Sequence, residues 1–109
     1  MQTVTIRMTT NRSNKPGDDI LSTPSMISAM DNFSCDLISN IVPNRYFPVT
    51  NRVQVLHKAP LHNGKCFLLK AKVMEVEKDG ALFNVKGINP DNNTVIGDAK
   101  IQIKLVQKS

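Results

Sequence analysis

Apolar and polar residues alternate near both ends of this chain. Residues 3–8 alternate over six positions, which predicts a short half-buried strand with Val4, Ile6 and Met8 on its apolar side. Residues 9–19 are polar and contain Pro16 and Gly17, so we expect a loop there. The two-residue period returns at Val49 and continues almost to the C-terminus.

One segment between these parts has helical spacing. Its apolar stripe consists of Met26, Met30, Phe33, Leu37 and Ile41, and is widened by Ile27 and Ile38. Thr23 is the expected N-cap, and Pro24 suits the first helical position, where a missing N–H has no consequence. Pro43 and Asn44 are expected to end the helix.

Four further strands are predicted after the helix, over residues 49–57, 65–77, 81–88 and 94–107. The Asp79-Gly80 pair predicts a type I′ hairpin turn, and Pro90 and Asp91 centre a second turn. In the first of these strands Val53, Val55 and His57 share a face. The predicted apolar faces of the longer strands are Phe67, Leu69, Ala71 and Val73, and Ala99, Ile101, Ile103 and Leu105.

This order of elements predicts an α+β fold. One helix of about five turns among so many strands is best covered by an antiparallel sheet wrapped around it. At 109 residues we expect a single domain, residues 1–109. A thin core and free sheet edges favour a homodimer or a dimer of dimers. No apolar run approaches the roughly 20 residues that span a bilayer, and we expect a cytoplasmic protein.

The composition narrows the choice of partners. A net charge of +5 favours anionic partners such as nucleic acid, a membrane surface or a phosphate-bearing ligand. With no Trp and one Tyr the chain has few aromatic side chains for base stacking, so a nucleic-acid-binding β module is the weaker hypothesis. Cys35 and Cys66 form no disulfide framework, and with two His they make no zinc spacing. We expect ordinary thiols and no metal.

Three residues could carry chemistry. Asp31 shares a helix face with Ile27 and Ile38, and is either a surface acid or an acid directed at the sheet. His57 ends an apolar strand face, and is either a structural histidine or a general base. Thr23 is either a helix cap or a nucleophile, placed where helix N-terminal amides would stabilise a carbonyl oxygen that gains negative charge.

The residues around these candidates resemble a known family. The segment Thr23–Asp31 resembles the start of the central helix in hotdog-fold thioesterases of the fluoroacetyl-CoA thioesterase type. The strand Val53–His57, followed by Ala59-Pro60 and Gly64, resembles the histidine strand of that family and the connection after it. The spacings agree without a gap, and the resemblance covers about residues 20–105.

The resemblance implies a hotdog fold and hydrolysis of a small or medium acyl-CoA thioester. Thr23, Asp31 and His57 map onto the catalytic Thr, acid and His of the family. His57, oriented by Asp31, is expected to activate either Thr23 or a water molecule that Thr23 positions. No cofactor is expected, since the coenzyme A thioester is the substrate. The family works as a dimer with sites between subunits. Since Thr23 lies two helical turns from Asp31, about 12 Å along the axis, we expect a site shared between subunits here as well.

Four further residues are expected to contact the substrate. Thr50 and Gly64 lie on the histidine strand and the connection after it. Lys58 and Lys65 are the lysines expected to bind coenzyme A phosphates, since lysine contacts to phosphate need little geometric precision. His62 is expected on the surface, and Cys35 as a small buried thiol.

The chain departs from the family pattern in four respects. The acid is Asp rather than Glu, Thr50 stands where a Gly is usual, Ile103 lies near the place of an expected Arg, and the segment before the helix is short. These departures argue against specificity for fluoroacetyl-CoA. They also keep open an alternative, a non-catalytic hotdog module that binds acyl-CoA or a partner protein.

Overall fold

The computed structural model describes residues 3–9 by their backbone, and residues 20–62 and 65–108 with their side chains. Its elements follow the predicted order of one strand, one helix and four strands. They are β1 (Thr3–Thr9), α1 (Thr23–Ser39), β2 (Tyr46–His57), β3 (Cys66–Glu77), β4 (Gly80–Asn89) and β5 (Thr94–Gln107).

The strands form one antiparallel sheet in the order β1-β3-β4-β5-β2. The helix α1 lies across one face of this sheet and contacts β2, β4 and β5. The predicted α+β architecture, an antiparallel sheet around a central helix, is therefore confirmed. None of the helices in the described part of the chain is long and apolar enough to cross a membrane.

The core lies between α1 and the inner face of the sheet. The apolar faces predicted for β3 and β5 are confirmed: Phe67, Leu69 and Ala71 are buried, and so are Ala99, Ile101 and Ile103. From the helix the core receives Met26, Met30, Phe33 and Ile38. Such packing of a helical stripe against a sheet face supplies most of the hydrophobic stabilisation of a domain of this size.

A glycine lets the start of the helix approach the sheet closely. Gly97 in β5 pairs with His57 in β2, and a Cβ atom at Gly97 would overlap the thioether end of Met26. Because Gly97 has no side chain, the buried Met26 lies directly on the β5 backbone. This contact brings the first turn of α1 to the end of β2.

Both helix ends differ from the prediction by a few residues. The N-cap is Ser22, whose Oγ accepts a hydrogen bond of 3.2 Å from the Ser25 amide, so Thr23 is the first helical residue and the prediction that Thr23 caps the helix is wrong. The helix ends at Ser39 with Asn40 as its C-cap. Ile41 therefore lies outside the helix and is 77% exposed rather than part of the apolar stripe.

The β3–β4 hairpin also differs in detail. Glu77 pairs with Gly80, so the two loop residues are Lys78 and Asp79, one position earlier than predicted. A type I′ turn needs a positive φ at both loop residues. Asn93 is the only non-glycine residue with a positive φ in the described part of the chain, so that turn type is wrong. Gly80 belongs to β4 instead, where a Cβ would overlap the Ile103 carbonyl oxygen.

A β-bulge interrupts the pairing of β2 with β5. The register shifts between Thr50 and Arg52, which leaves Asn51 as the extra residue. Asn51 and Arg52 are both exposed, whereas Thr50 and Val53 are half-buried on the side of α1. The bulge therefore turns both Thr50 and the later residues of β2 towards the helix.

Candidate active site

A hydrogen bond joins the start of the helix to the end of the edge strand β2. Thr23 Oγ1 lies 2.7 Å from His57 Nδ1, and Thr23 is exposed whereas His57 is half-buried. Because Ser22 takes the capping role, the Thr23 hydroxyl is released for this contact. The fold thus brings together two of the three predicted catalytic residues within a single chain.

Backbone pairing next to the site supports this contact. The Leu21 amide donates to the Leu61 carbonyl at 2.7 Å, and Ile20 forms an isolated bridge with His62. Leu21 and Leu61 are both buried. The segment before α1 is thereby tied to the connection after β2, which positions Thr23 beside His57. His62 itself is exposed, as predicted.

The two ring nitrogens of His57 have different surroundings. Nδ1 faces the Thr23 hydroxyl, whereas Nε2 is buried and has no hydrogen-bond partner among the described residues. A buried polar atom without a partner costs about 1–3 kcal/mol in either tautomer. Nδ1 is therefore the nitrogen that a reacting hydroxyl can reach, and with the Nε2 position protonated it can accept the Thr23 proton.

The helix N-terminus offers fewer free amides than a typical first turn. Pro24 has no N–H, the Ser25 amide is bonded to Ser22 Oγ, and the Met26 amide donates to the Ser22 carbonyl at 3.0 Å. Within the described part of the chain, the Thr23 amide is the donor of this turn that has no acceptor. Stabilisation of an oxyanion by this helix end would therefore depend on the Thr23 N–H and the helix dipole.

Asp31 lies two turns further along the helix, in a separate polar cluster. It is half-buried and directed at the sheet. Of the two predicted alternatives, a surface acid and an acid directed at the sheet, the second is therefore the one found. Its Oδ1 accepts a hydrogen bond from the Thr50 hydroxyl and a weak one from Cys35 Sγ at 3.9 Å. No hydrogen bond joins Asp31 to His57 within the described chain.

The Cys35 thiol completes this cluster. Its Sγ lies 3.6 Å from Thr50 Oγ1. Burial raises the pKa of Cys35, the Thr50 hydrogen bond opposes this shift, and the negative charge of Asp31 adds to it. The thiol is therefore kept protonated, which fits the predicted ordinary thiol and not a nucleophile.

The remaining predicted contacts lie on the connection after β2. The Lys58 amide donates to the Ile96 carbonyl, and its Nζ lies 3.9 Å from Asp98 Oδ2. Lys65 is exposed, and its amide donates to the His62 carbonyl. Gly64 lies outside the described residues. Among residues 20–62 and 65–108, no group of three or more His, Cys, Asp and Glu could hold a metal ion.

Sequence reasoning missed two features of this region. One is the N-cap at Ser22. Ser and Thr both cap helices well, so the sequence does not distinguish Ser22 from Thr23 as the capping residue. The other is the contact of Thr50 with Asp31, for which the only signal was the position of Thr50 where the resembled family has a Gly. The sequence contains no mark of the bulge that directs Thr50 inward.

Known structures share this fold over nearly the whole chain. A hot-dog-like protein from Thermanaerovibrio acidaminovorans superimposes with a TM-score of 0.85 at 15% sequence identity, and the match covers 97% of this chain and 82% of that protein. A thioesterase superfamily member from Thermus thermophilus has a TM-score of 0.85 at 14% identity, and the match covers 98% of this chain and 82% of that protein. The fluoroacetyl-CoA thioesterase FlK has a TM-score of 0.82 at 12% identity, and the match covers 97% of this chain and 86% of FlK. The fold is thus the hotdog fold.

The family follows from the sequence match. The model of the family described as fluoroacetyl-CoA-specific thioesterase (FlK) matches residues 4–109. This chain belongs to that family and is, as a member, a thioester hydrolase, which confirms the resemblance seen in the sequence. No curated protein matches the chain.

Proposed function

We propose that this protein hydrolyses a small or medium acyl-CoA thioester with Thr23, His57 and Asp31. The observation that carries the proposal is the hydrogen bond of 2.7 Å between Thr23 Oγ1 and His57 Nδ1. A hydroxyl beside an imidazole is the arrangement by which a base activates a nucleophile. Thr23 is also exposed, so a thioester carbonyl can approach its hydroxyl.

The proposed reaction begins at Thr23. His57 Nδ1 accepts the hydroxyl proton while Oγ1 attacks the thioester carbonyl carbon, and the Thr23 amide stabilises the oxyanion. Collapse of the tetrahedral intermediate breaks the C–S bond, and the coenzyme A thiolate takes the proton from His57. Water activated by the same imidazole then hydrolyses the acyl-threonine ester. All groups in this scheme come from the protein, so the proposal needs no cofactor.

Asp31 enters this scheme through a second copy of the chain. Within one chain its carboxylate contacts Thr50 and Cys35 rather than His57. Thr50 and His57 both lie on β2, which is an edge of the sheet. Pairing of two β2 edges would place the Asp31 cluster of one copy near the Thr23–His57 pair of the other. We therefore propose a homodimer with shared sites. Light scattering would test it, and a stable monomer of 12.1 kDa at micromolar concentration would contradict it.

The coenzyme A phosphates are proposed to bind at the connection after β2. Lys58 and Lys65 are both exposed there, close in sequence to the catalytic histidine. Lys58 Nζ lies 3.9 Å from Asp98 Oδ2, so this carboxylate partly offsets the charge of Lys58. We also propose a reducing compartment such as the cytoplasm, because Cys35 is not in a disulfide.

Hydrolysis of a panel of acyl-CoA thioesters tests the proposal directly. We expect turnover by the wild-type protein, and a loss of about 10²–10⁴-fold in His57→Ala, the usual contribution of a general base. His62→Ala is the matched control because that histidine is exposed on the neighbouring connection, and its turnover should equal that of the wild type. Full activity of His57→Ala would contradict the assignment.

A second candidate is a non-catalytic module that binds acyl-CoA. The observation that favours it is the engagement of Asp31 by Thr50, which removes the acid from His57 within the chain. Calorimetric titration with coenzyme A separates the two functions. Binding without turnover of any thioester in the panel would establish the binding module.

A further inference from the structure

We infer that Thr50 is a positioning residue, which holds the Asp31 carboxylate in place through the hydrogen bond from Thr50 Oγ1 to Asp31 Oδ1. The inference rests on the proposed function, in which Asp31 serves the reaction. It replaces the expectation that Thr50 contacts the substrate. In this arrangement Thr50 acts only through Asp31 and touches no reacting atom.

The β-bulge in β2 is the first observation behind this role. In an uninterrupted strand successive side chains alternate between the two faces. Here two consecutive residues, Asn51 and Arg52, are exposed, and Thr50 before them remains on the helix side opposite the buried Ile103. Bulges commonly re-aim side chains beside active sites, and this one places the hydroxyl of Thr50 against α1.

The hydrogen-bonding pattern of Asp31 is the second observation. Its half-buried carboxylate needs a donor, since an ionised group removed from water without one is strongly destabilised. Thr50 and Cys35 both approach the same oxygen, Oδ1, and they lie 3.6 Å from each other. Oδ2 has no hydrogen bond within the described residues. Thr50 thus fixes one oxygen and leaves the other for a group of the reaction.

The contact also explains the type of acid at position 31. The Thr50 hydroxyl already meets Oδ1 of the shorter Asp side chain. A Glu side chain is one methylene longer, so its carboxylate would be forced into Thr50 or away from it. The hydroxyl at position 50 and the shorter acid at position 31 therefore suit each other in this chain.

A double-mutant cycle tests the contact without any assay of activity. Thr50→Val, Asp31→Asn and the double variant are compared with the wild type by urea unfolding. Since a hydrogen bond to a charged group is among the stronger ones, we expect the single effects to be non-additive by about tenfold in the unfolding equilibrium constant. Asp36→Asn is the matched control, because Asp36 is an exposed acid on the same helix. Additive effects of Thr50→Val and Asp31→Asn would overturn the contact.

Kinetics of the same chain then test the positioning role. We expect Thr50→Val to lower kcat about tenfold with little change in KM, and Thr50→Ser, which keeps the hydroxyl, to restore it. Asp31→Glu should be impaired alone and recover in the Asp31→Glu/Thr50→Gly double variant, where the methylene has room. A raised KM with unchanged kcat in Thr50→Val would make Thr50 a substrate contact and overturn the inference.

The outcomes keep this inference apart from the proposed function. An inactive wild type with a non-additive cycle contradicts the thioesterase proposal while the Thr50–Asp31 contact stands. An active wild type with an additive cycle overturns the inference alone.

Discussion

Thr23 Oγ1 and His57 Nδ1 meet at 2.7 Å although 34 positions separate them in the chain. Two features produce this proximity. The pairing of Leu21 with Leu61 ties the segment before α1 to the connection after β2, and Gly97 lets Met26 lie on the sheet beside His57. The candidate nucleophile and its base are therefore positioned by rigid elements, which suits a site that depends on accurate geometry.

Substitutions at Ser22 and Thr23 should separate stability from catalysis. Ser22→Ala removes the N-cap and should reduce the free energy of unfolding by about 1 kcal/mol while most hydrolysis remains. Thr23→Ala should abolish most hydrolysis with a smaller effect on stability, because Thr23 does not cap the helix. Urea unfolding and steady-state kinetics on both variants check this. Equal loss of hydrolysis in the two variants would show that Thr23 acts through the helix end alone.

Alanine at Gly97 and at Gly80 should destabilise the protein to different extents. A Cβ at Gly97 meets the flexible thioether of Met26, which can move, so we expect a loss near the lower end of the about 1–3 kcal/mol typical of overpacking. A Cβ at Gly80 meets the backbone carbonyl of Ile103, which cannot move without breaking the sheet. Thermal unfolding should therefore rank Gly80→Ala as the more damaging change. In Gly97→Ala we also expect slower hydrolysis, since the start of α1 moves relative to His57.

Reversal of charge at Lys58 and Lys65 should weaken binding of coenzyme A. The double change to Glu should raise KM for acyl-CoA at low salt and reduce the dependence of KM on ionic strength, because surface charge interactions are screened by salt. Lys78→Glu is the control, since Lys78 lies in the β3–β4 loop. The double variant should have an unchanged KM for an acyl-pantetheine substrate, because this substrate lacks the nucleotide phosphates. Unchanged KM for acyl-CoA at low salt would place the phosphates elsewhere.

The Cys35 thiol should respond to pH and to its neighbour Asp31. Burial raises the pKa of Cys35 above its ordinary value, so its contribution to stability is present below the pKa of the unfolded thiol and is lost as pH rises through the raised pKa. Iodoacetamide should therefore alkylate Cys35 more slowly than a model thiol at mildly alkaline pH, measured in a Cys66→Ser background. Because the charge of Asp31 adds to the shift in pKa, Asp31→Asn should speed alkylation. Slower alkylation in that variant would contradict the electrostatic effect.

Much of the fold could be predicted because the relevant signals are local. The side-chain period along β3 and β5 identified the buried faces, such as Phe67 to Ala71 and Ala99 to Ile103, and helical spacing identified α1. Periodicity reports burial directly, since each element has one apolar face. Local signals failed where a residue had a tertiary role. Gly80 looked like part of a turn, but the approach of the β5 backbone requires a glycine in the strand.

The sequence by itself determined the element order, the buried faces and, through spacing, the three candidate residues Thr23, Asp31 and His57. Only the tertiary structure decided how those residues are grouped. It paired Thr23 with His57 and placed Asp31 with Thr50, whose direction depends on the bulge in β2. The physical reason is that hydrogen bonds between distant segments depend on strand register and on the docking of the helix, and neither leaves a periodic trace in the sequence.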